Sequence, residues 1–177
     1  MSQAVTYTID PTHSTAGFKV RHLMVSNVRG EFSGVTGTVV IDTSAPENSR
    51  VEATIDARTV HTRDEQRDTH LKSADFLDVE KFPTITFVSK KITGSVGEWK
   101  VTGDLTIHGV AKEVTLDVEG LSPEVKDPWG NVKTGATATT KISRKDFGMV
   151  FNMALETGGV MVGDEVTITL ELELLRS

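Results

Sequence analysis

The stretch RDTHLKSADFLDVEKFP, residues 67–83, concentrates side chains that could do chemistry. A mixture of carboxylates, imidazole and amines can coordinate a metal ion, exchange protons with a substrate, or form a charged cap that faces water. Metal binding and catalysis both require these groups to converge on one point, whereas a solvated cap does not. The residues concerned are Arg67, Asp68, His70, Lys72, Asp75, Asp78, Glu80 and Lys81.

The spacing of the candidate metal ligands does not indicate a metal site. His61, Asp64, Asp68 and His70 form neither H-E-x-x-H nor another compact pattern that would bring two or three ligands together. The chain has 0 cysteines, which excludes disulfides, iron–sulfur clusters and Cys-based zinc sites. We therefore predict no metal ligands and no conventional cofactor.

Three further motifs could suggest catalysis. His13 and Ser14 are adjacent, but neighbouring residues of a strand point to opposite faces and cannot form a nucleophile–base pair. His108 stands before Gly109 at a predicted strand end, where a structural hydrogen bond is the more common role. The glycines of residues 157–164, TGGVMVGD, lack the order and the strand-to-helix context of a phosphate-binding loop, and they indicate a flexible loop. We predict no catalytic residues.

Composition excludes several classes of protein. The 19 basic and 25 acidic side chains give a net charge of −6, so a surface that tracks nucleic-acid phosphates is not expected. The opening residues MSQAVTYTID lack the features of a secretion signal, and no apolar run approaches the ~18 residues of a membrane span. The sequence therefore predicts a single domain over residues 1–177, a cytoplasmic location and no membrane span.

Alternation of apolar and polar residues with a period of two runs through most of the chain and predicts an all-β protein. The clearest strands cover residues 98–108 and 164–175, and shorter ones are expected near 5–9, 16–23, 35–42, 50–57, 84–90, 113–119 and 135–143. Alternation places Trp99, Val101, Gly103, Leu105 and Ile107 on one face of the first, and Val166, Ile168, Leu170, Leu172 and Leu174 on one face of the second. Long strands with one apolar face would leave open edges in a flat sheet, and closure removes those edges. We predict an extended lipocalin-like antiparallel β-barrel of about eight strands.

A short helical cap is predicted between two of these strands. Thr62 and Glu65 have the spacing of a capping box, which indicates that a helix begins there. The charged residues of the 67–83 stretch would face water, while Leu71, Phe76 and Leu77 would cover one end of the barrel.

The interior of a barrel of this size holds either packed side chains or one small ligand. Its predicted walls are aliphatic, with small residues between them, and such walls suit a flexible hydrocarbon chain better than a flat ring. The alternative is that the same residues only pack against each other. Alternation assigns these residues to the inner face: Phe18, Val20, Val39, Ile41, Ile55, Ile85, Phe87, Leu105, Ile107, Val114, Leu116, Ile168 and Leu170.

A segment rich in methionine and phenylalanine follows the strand that is predicted near residues 135–143. Methionine adapts its shape easily, so this segment could line an opening that accepts varied hydrocarbon tails. The alternative is that these side chains fill gaps in the core. The residues are Phe147, Met149, Phe151, Met153 and Met161.

Several long motifs, in order, resemble those of the YceI family of lipid- and polyisoprenoid-binding proteins. They are IDPTHSTAGFKVRHL at 9–23, RDTHLKSADFLD at 67–78, FPTITF at 82–87, VTGDLTIHGVAKEVTL at 101–116 and ISRKDFGM at 142–149. The resemblance implies an extended barrel that encloses a polyisoprenoid, such as a prenyl pyrophosphate or a quinone tail. It also implies that the cap residues stabilise the cap and border the pocket: His70, Leu71, Lys72, Ser73, Asp75 and Phe76.

Three classes of function remain open. The favoured one is a non-enzymatic lipid carrier that binds a long amphiphile for transport, storage or isoprenoid metabolism. The alternatives are a small hydrolase or isomerase that uses His and Asp, and a structural or partner-binding module. The expected partner is a small lipid, and the sequence also allows a homodimer. If the head group of the lipid is anionic, Lys72, Arg144 and Lys145 are the candidates to bind it.

Overall fold

Antiparallel strands make up most of the computed structural model, which describes residues 4–153, 155 and 161–177. Half of the loop predicted at 157–164, residues 157–160, lies outside the described residues. The strands are β1 Ala4–Ile9, β2 Thr15–His22, β3 Ser26–Phe32, β4 Val35–Asp42, β5 Arg50–Asp56, β6 Thr84–Ser95, β7 Gly97–Ile107, β8 Val110–Gly120, β9 Val125–Lys126, β10 Val132–Ser143 and β11 Val162–Arg176. The helix α1 covers Glu65–Lys72, and 3-10 turns lie at Pro46–Asn48, Ala57–Thr59 and Arg144–Phe147.

The barrel closes through β11, which pairs with β10 along one edge and with both β1 and β2 along the other. Ile9 lies opposite Leu174 and Ala16 lies opposite Leu170, so β1 and β2 together occupy one strand position of the barrel, with an insertion between them. Strands β3 and β4 share the next position in the same way. The result is a closed eight-stranded antiparallel barrel, which confirms the predicted fold class.

Strand β3 was missing from the strands expected from alternation. Its inner face carries Val28, Gly30 and Phe32, and the glycine interrupts the apolar pattern. A Cβ atom at Gly30 would come within 2.4 Å of the Phe18 ring, so glycine is needed where β3 faces β2. The apolar pattern of β3 is lost at Gly30 because the Phe18 ring occupies the space that a side chain at this position would fill.

Strand β7 shows how alternation builds the core. Trp99, Val101, Leu105 and Ile107 are buried, as predicted for one face of this strand. Each buried side chain of this kind contributes roughly 1.5–3 kcal/mol through the hydrophobic effect. The opposite face of β7 carries polar residues and faces solvent.

Helix α1 begins two residues later than a Thr62 cap would require. Asp64 is the N-cap, and its side chain accepts a hydrogen bond from the Arg67 amide at 3.1 Å. Arg63 has a positive φ of 67°, which changes the direction of the backbone just before the helix. Thr62 instead donates its amide and hydroxyl to Asp68, and the predicted capping box is therefore wrong.

The barrel has two distinct ends. The end that we call the cap end carries α1, the β2–β3 turn, the β7–β8 turn and the 3-10 turn Arg144–Phe147. The far end carries the β4–β5 and β6–β7 turns and the connection that contains β9. None of the helices in the described part of the chain has the length and hydrophobicity that a membrane-spanning helix requires.

A buried tyrosine ties the far end together. Tyr7, the only tyrosine of the chain, donates its hydroxyl hydrogen bond to Glu124 at 2.7 Å, and Glu124 also pairs with Arg176 at 3.0 Å. Burial, followed by the hydrogen bond and the negative charge of Glu124, raises the pKa of Tyr7 to about 12.

We expect the tyrosine absorbance of the folded protein at alkaline pH to titrate near pH 12, well above the ordinary value of about 10. Because the folded-state pKa is the higher one, the neutral phenol stabilises the fold below pH ~10, and that stabilisation disappears as the pH rises toward the folded-state pKa. Glu124→Gln should lower the midpoint but leave it above the ordinary value, since burial persists. A wild-type midpoint near 10 would contradict the buried hydrogen bond.

Candidate functional site

A cavity of about 310 Å³ occupies the inside of the barrel. Its lining reaches from Ile9 and Leu121 toward the far end to His70 and Met161 at the cap end, so the cavity runs along the barrel. Almost all of the lining is aliphatic or aromatic. The volume falls at the lower end of the range typical of ligand pockets.

The structure places most of the inner-face residues predicted from the sequence on this cavity. They come from seven of the eight strand positions, from α1 and the turn after it, and from the segments on either side of the undescribed residues. The lining includes Phe18, Val20, Val39, Ile41, Ile55, Leu71, Phe76, Ile85, Phe87, Leu105, Ile107, Leu116, Met149, Met161, Ile168 and Leu170.

Three predicted ligand-binding residues do not line the cavity, and each has a different reason. Val114 is partly buried against the core, where the 3-10 turn Arg144–Phe147 packs beside β8 and fills the interior. Phe147 belongs to that turn and is only 1% exposed, so its ring is core. Met153 is 57% exposed and lies on the surface of the cap end.

The three basic residues proposed to bind a lipid head group lie in different environments, and only one of them lines the cavity. Lys72 and Lys145 do not contribute to the lining. Lys72 is the last residue of α1, and Lys145 is an exposed residue whose ammonium lies 3.3 Å from Asp164. Only Arg144 lines the cavity, because the 3-10 turn directs it inward while its neighbour points outward.

Arg144 is 3% exposed and donates its hydrogen bonds to backbone carbonyls. Nε binds the carbonyl of Gly163 at 2.8 Å, and one terminal nitrogen binds the carbonyls of Met149 and Phe151 at 2.7 and 2.8 Å. The other terminal nitrogen binds the carbonyl of Val162 at 3.2 Å. The guanidinium thus holds the segment after β10 against the start of β11. Burial lowers the pKa of Arg144, and Asp164 at 3.7 Å partly opposes that effect.

A cluster of three rings closes the cavity beneath α1. The His70 ring meets Phe76 and Phe151 edge-on, with centroids 5.0 and 4.9 Å apart, and Asp75 fixes the imidazole through a 2.8 Å hydrogen bond to Nε2. Within the described chain, no hydrogen bond joins this imidazole to a hydroxyl that could act as a nucleophile. The hydrogen bond between His70 and Asp75 therefore orients the imidazole ring as part of the cap.

Beside this cluster, Arg67 lines the cavity and is held by Thr62. Its Nε donates to the Thr62 hydroxyl at 2.8 Å and a terminal nitrogen donates to the Thr62 carbonyl at 2.6 Å. Burial raises the pKa of the neighbouring Asp68, but the hydrogen bonds from Thr62 outweigh it and leave that pKa below its ordinary value.

The charged residues of the lining all carry the same sign. No carboxylate lines the cavity among the residues that the structure describes, although the whole chain carries a net charge of −6. The basic residues all lie at the cap end, and they are Arg21, His22, Arg67, His70 and Arg144. The cavity is therefore apolar along the barrel and cationic at one end.

Sequence analysis did not name several residues of this lining as ligand-binding residues. His22 continues the inner face of β2 through Ala16, Phe18 and Val20, so alternation could have found it. Arg67 could not be found in this way, because its position depends on how α1 packs. Others lie on inner faces that alternation indicates, and they include Trp99, Val101, Val118, Ala138, Ile142, Val166, Leu172 and Leu174.

A second charged cluster lies outside the cavity. Asp10, His13 and Glu173 place potential ligand atoms within 4.8 Å of one another, a convergence that the sequence did not indicate. Lys133 already pairs with both carboxylates, at 3.4 Å from Asp10 and 3.3 Å from Glu173. The hydrogen bonds from His13 and Thr12 outweigh burial and lower the pKa of Asp10. This cluster fastens the insertion between β1 and β2 to the end of β11.

Comparison with known proteins gives a consistent result. A family model described as the YceI-like domain matches residues 7–174. The UPF0312 protein SAS2572 of Staphylococcus aureus (strain MSSA476) is 43% identical over 169 residues, which cover 94% of this chain and 95% of the relative.

Solved structures agree with the sequence matches. The YceI protein of Campylobacter jejuni is 32% identical, with a TM-score of 0.73 over 89% of this chain and 90% of that protein. A polyisoprenoid binding domain from Saccharophagus degradans shares the fold, with a TM-score of 0.68 over 98% of this chain and 99% of that domain, at 16% identity.

Proposed function

Because the chain belongs to the YceI-like domain family, we propose that its barrel binds one long amphiphilic lipid, with a polyisoprenoid as the favoured class. The observation that carries the proposal is a long aliphatic cavity whose charged lining residues are all basic and all lie at one end. A hydrocarbon tail gains free energy by burial in such a cavity, at roughly 0.8 kcal/mol for each CH₂ group. The similarity in fold to the polyisoprenoid binding domain of Saccharophagus degradans supports this class of ligand.

The ligand is oriented with its head group at the cap end. Arg67 and His70 are the most suitable partners for an anionic head, because the donors of Arg144 are largely taken up by backbone carbonyls. A prenyl phosphate or pyrophosphate therefore fits better than a neutral prenyl alcohol of the same length. Lys72 and Lys145 are not part of this proposal.

The role that follows is carriage or storage of the lipid by a protein that works without a cofactor. A reaction would need polar groups that converge on the bound molecule, and the charged part of the lining instead lies at one end. The single domain, the cytoplasmic location and the absence of catalysis remain predictions from the sequence.

A titration of delipidated protein with prenyl monophosphates of increasing length tests the proposed function. We expect affinity to rise with each added isoprene unit until the tail fills the barrel, and then to level off. The prenyl alcohol of equal length should bind more weakly, and Arg67→Gln should reduce this difference. Affinity that does not depend on chain length would contradict binding inside the barrel.

A further inference from the structure

The β2–β3 hairpin presents apolar side chains to solvent at its tip. Leu23, Met24 and Val25 are all exposed, and Val25 is 78% exposed. Two more exposed apolar residues, Val150 and Met153, lie at the same end of the barrel. The Leu23 amide donates to the Met161 carbonyl at 2.8 Å, and the Met161 amide donates to the Met153 carbonyl at 2.9 Å, which places Met153 beside the tip.

The two central residues of this turn are of types that rarely adopt its backbone conformation. Leu23 and Met24 have φ values of 53° and 60°, and the Val25 amide donates to the His22 carbonyl at 3.1 Å. Two-residue hairpin turns with positive φ at both central positions favour Asn-Gly, because large side chains are strained there. Folding alone therefore does not account for leucine and methionine at these two positions.

The outer face of the same hairpin is cationic. Residues 16–30 contain no Asp or Glu. Lys19 and Arg29 lie directly opposite each other, although like charges in opposed positions destabilise a sheet. Arg21, the next residue of β2 on this face, is exposed and also contributes to the cavity lining at the cap end. In the part of the chain that the structure describes, none of the three forms an ion pair with a carboxylate.

The hairpin itself carries one carboxylate, Glu31, on the same face as Arg29 and two residues from it, against three basic side chains. Asp164 and Glu165, at the start of β11, lie 3.3 Å from Lys145 and 3.8 Å from Lys141. An apolar tip beside unpaired cations is the combination that binds the interface of an anionic bilayer.

We propose that the β2–β3 hairpin docks the cap end of the barrel onto an anionic lipid bilayer. Leu23, Met24 and Val25 enter the interface, while Lys19, Arg21 and Arg29 contact phosphate groups of the lipids. His22, between tip and cavity, lines the barrel, so docking brings the cationic end of the cavity to the membrane. The use of this surface for lipid exchange rests on the proposed function, but docking does not.

Vesicle flotation with delipidated protein tests docking directly. The probes are vesicles of phosphatidylcholine alone and vesicles in which one lipid in three is phosphatidylglycerol. We expect binding to the anionic vesicles only, weakening as salt is raised, because salt screens the contacts of exposed charges. Arg29→Gln should lower the affinity about fivefold. Failure of the wild-type protein to float with anionic vesicles would overturn the proposal.

Two sets of variants separate docking from folding. L23N/M24G should raise or preserve Tm, because Asn-Gly suits the turn, and should lower vesicle affinity at least roughly tenfold. Val25→Asp should also abolish flotation, whereas Val96→Asp, at a 61% exposed position in the β6–β7 turn of the far end, should leave it unchanged. Equal loss from Val25→Asp and Val96→Asp would refute docking through the hairpin.

Two further measurements complete the design. Uptake of a prenyl phosphate from detergent micelles should be unchanged in Val25→Asp, so that a failure of docking is distinguished from a failure of lipid binding. Sedimentation velocity detects the competing occupant of this surface, a second copy of the chain. If Val25→Asp converts a dimer to a monomer and vesicle binding is unaffected, the docking proposal is wrong.

Discussion

Replacement of Arg144 by methionine is expected to lower the free energy of unfolding by about 3–5 kcal/mol. Methionine fills a similar apolar volume but donates no hydrogen bond, so the carbonyls of Met149, Phe151, Val162 and Gly163 lose their shared donor. Each buried acceptor left without a partner costs ~1–3 kcal/mol, and relaxation of the segment recovers part of the sum. Denaturant unfolding measures the change.

The neighbouring residue provides the control. Lys145 is 52% exposed in its side chain and forms one surface ion pair with Asp164, so Lys145→Met should change the stability by at most about 1 kcal/mol. Similar effects of the two substitutions would show that the buried guanidinium does not hold the segment after β10 to β11. Arg144→Lys should recover only a part of the loss, because an ammonium cannot reach all four carbonyls.

Ile168→Trp is expected to reduce lipid uptake at least roughly tenfold while it changes the stability of delipidated protein by less than about 1 kcal/mol. Ile168 lines the cavity from the middle of β11, opposite Thr140 on one neighbouring strand and Phe18 on the other. The indole would occupy space that the lipid tail otherwise fills. A prenyl phosphate titration and denaturant unfolding measure the two effects.

The matched control is Thr169→Trp, one residue further along β11 and on the outer face. Its binding should be close to that of the wild-type protein. If the interior is packed rather than open, Ile168→Trp instead costs ~1–3 kcal/mol through overpacking and leaves binding unchanged. Equal loss of binding in both variants would contradict the assignment of the two faces of β11.

Strand positions followed from the sequence wherever one face packs against a uniform apolar interior. Strands β7 and β11 are the best examples, since Trp99 and Leu174 both lie on faces that alternation had assigned. The pattern failed at β3, because Gly30 gives way to the Phe18 ring. Local spacing also misplaced the start of α1, where the positive φ of Arg63 moves the N-cap to Asp64.

The candidate site was less accessible to sequence analysis than the barrel. Period-two alternation finds residues of the cavity wall, but it has no information about the cap end, where irregular backbone decides which side chains turn inward. Arg144 and Lys145 are adjacent and chemically similar, yet a 3-10 turn buries one and exposes the other. The same irregular backbone gives Phe147 and Met149 different surroundings. The Phe147 ring packs in the core, whereas the Met149 side chain lines the cavity.

Native mass spectrometry of freshly purified protein, before and after solvent extraction, tests the central claim most directly. An apolar cavity that runs along the barrel should retain a lipid through purification, so we predict a non-covalent adduct of several hundred daltons. Extraction should remove this adduct, and an added prenyl phosphate should restore one of its own mass. A clean apo mass under gentle conditions, together with no uptake of added prenyl compounds, would contradict lipid binding in the barrel.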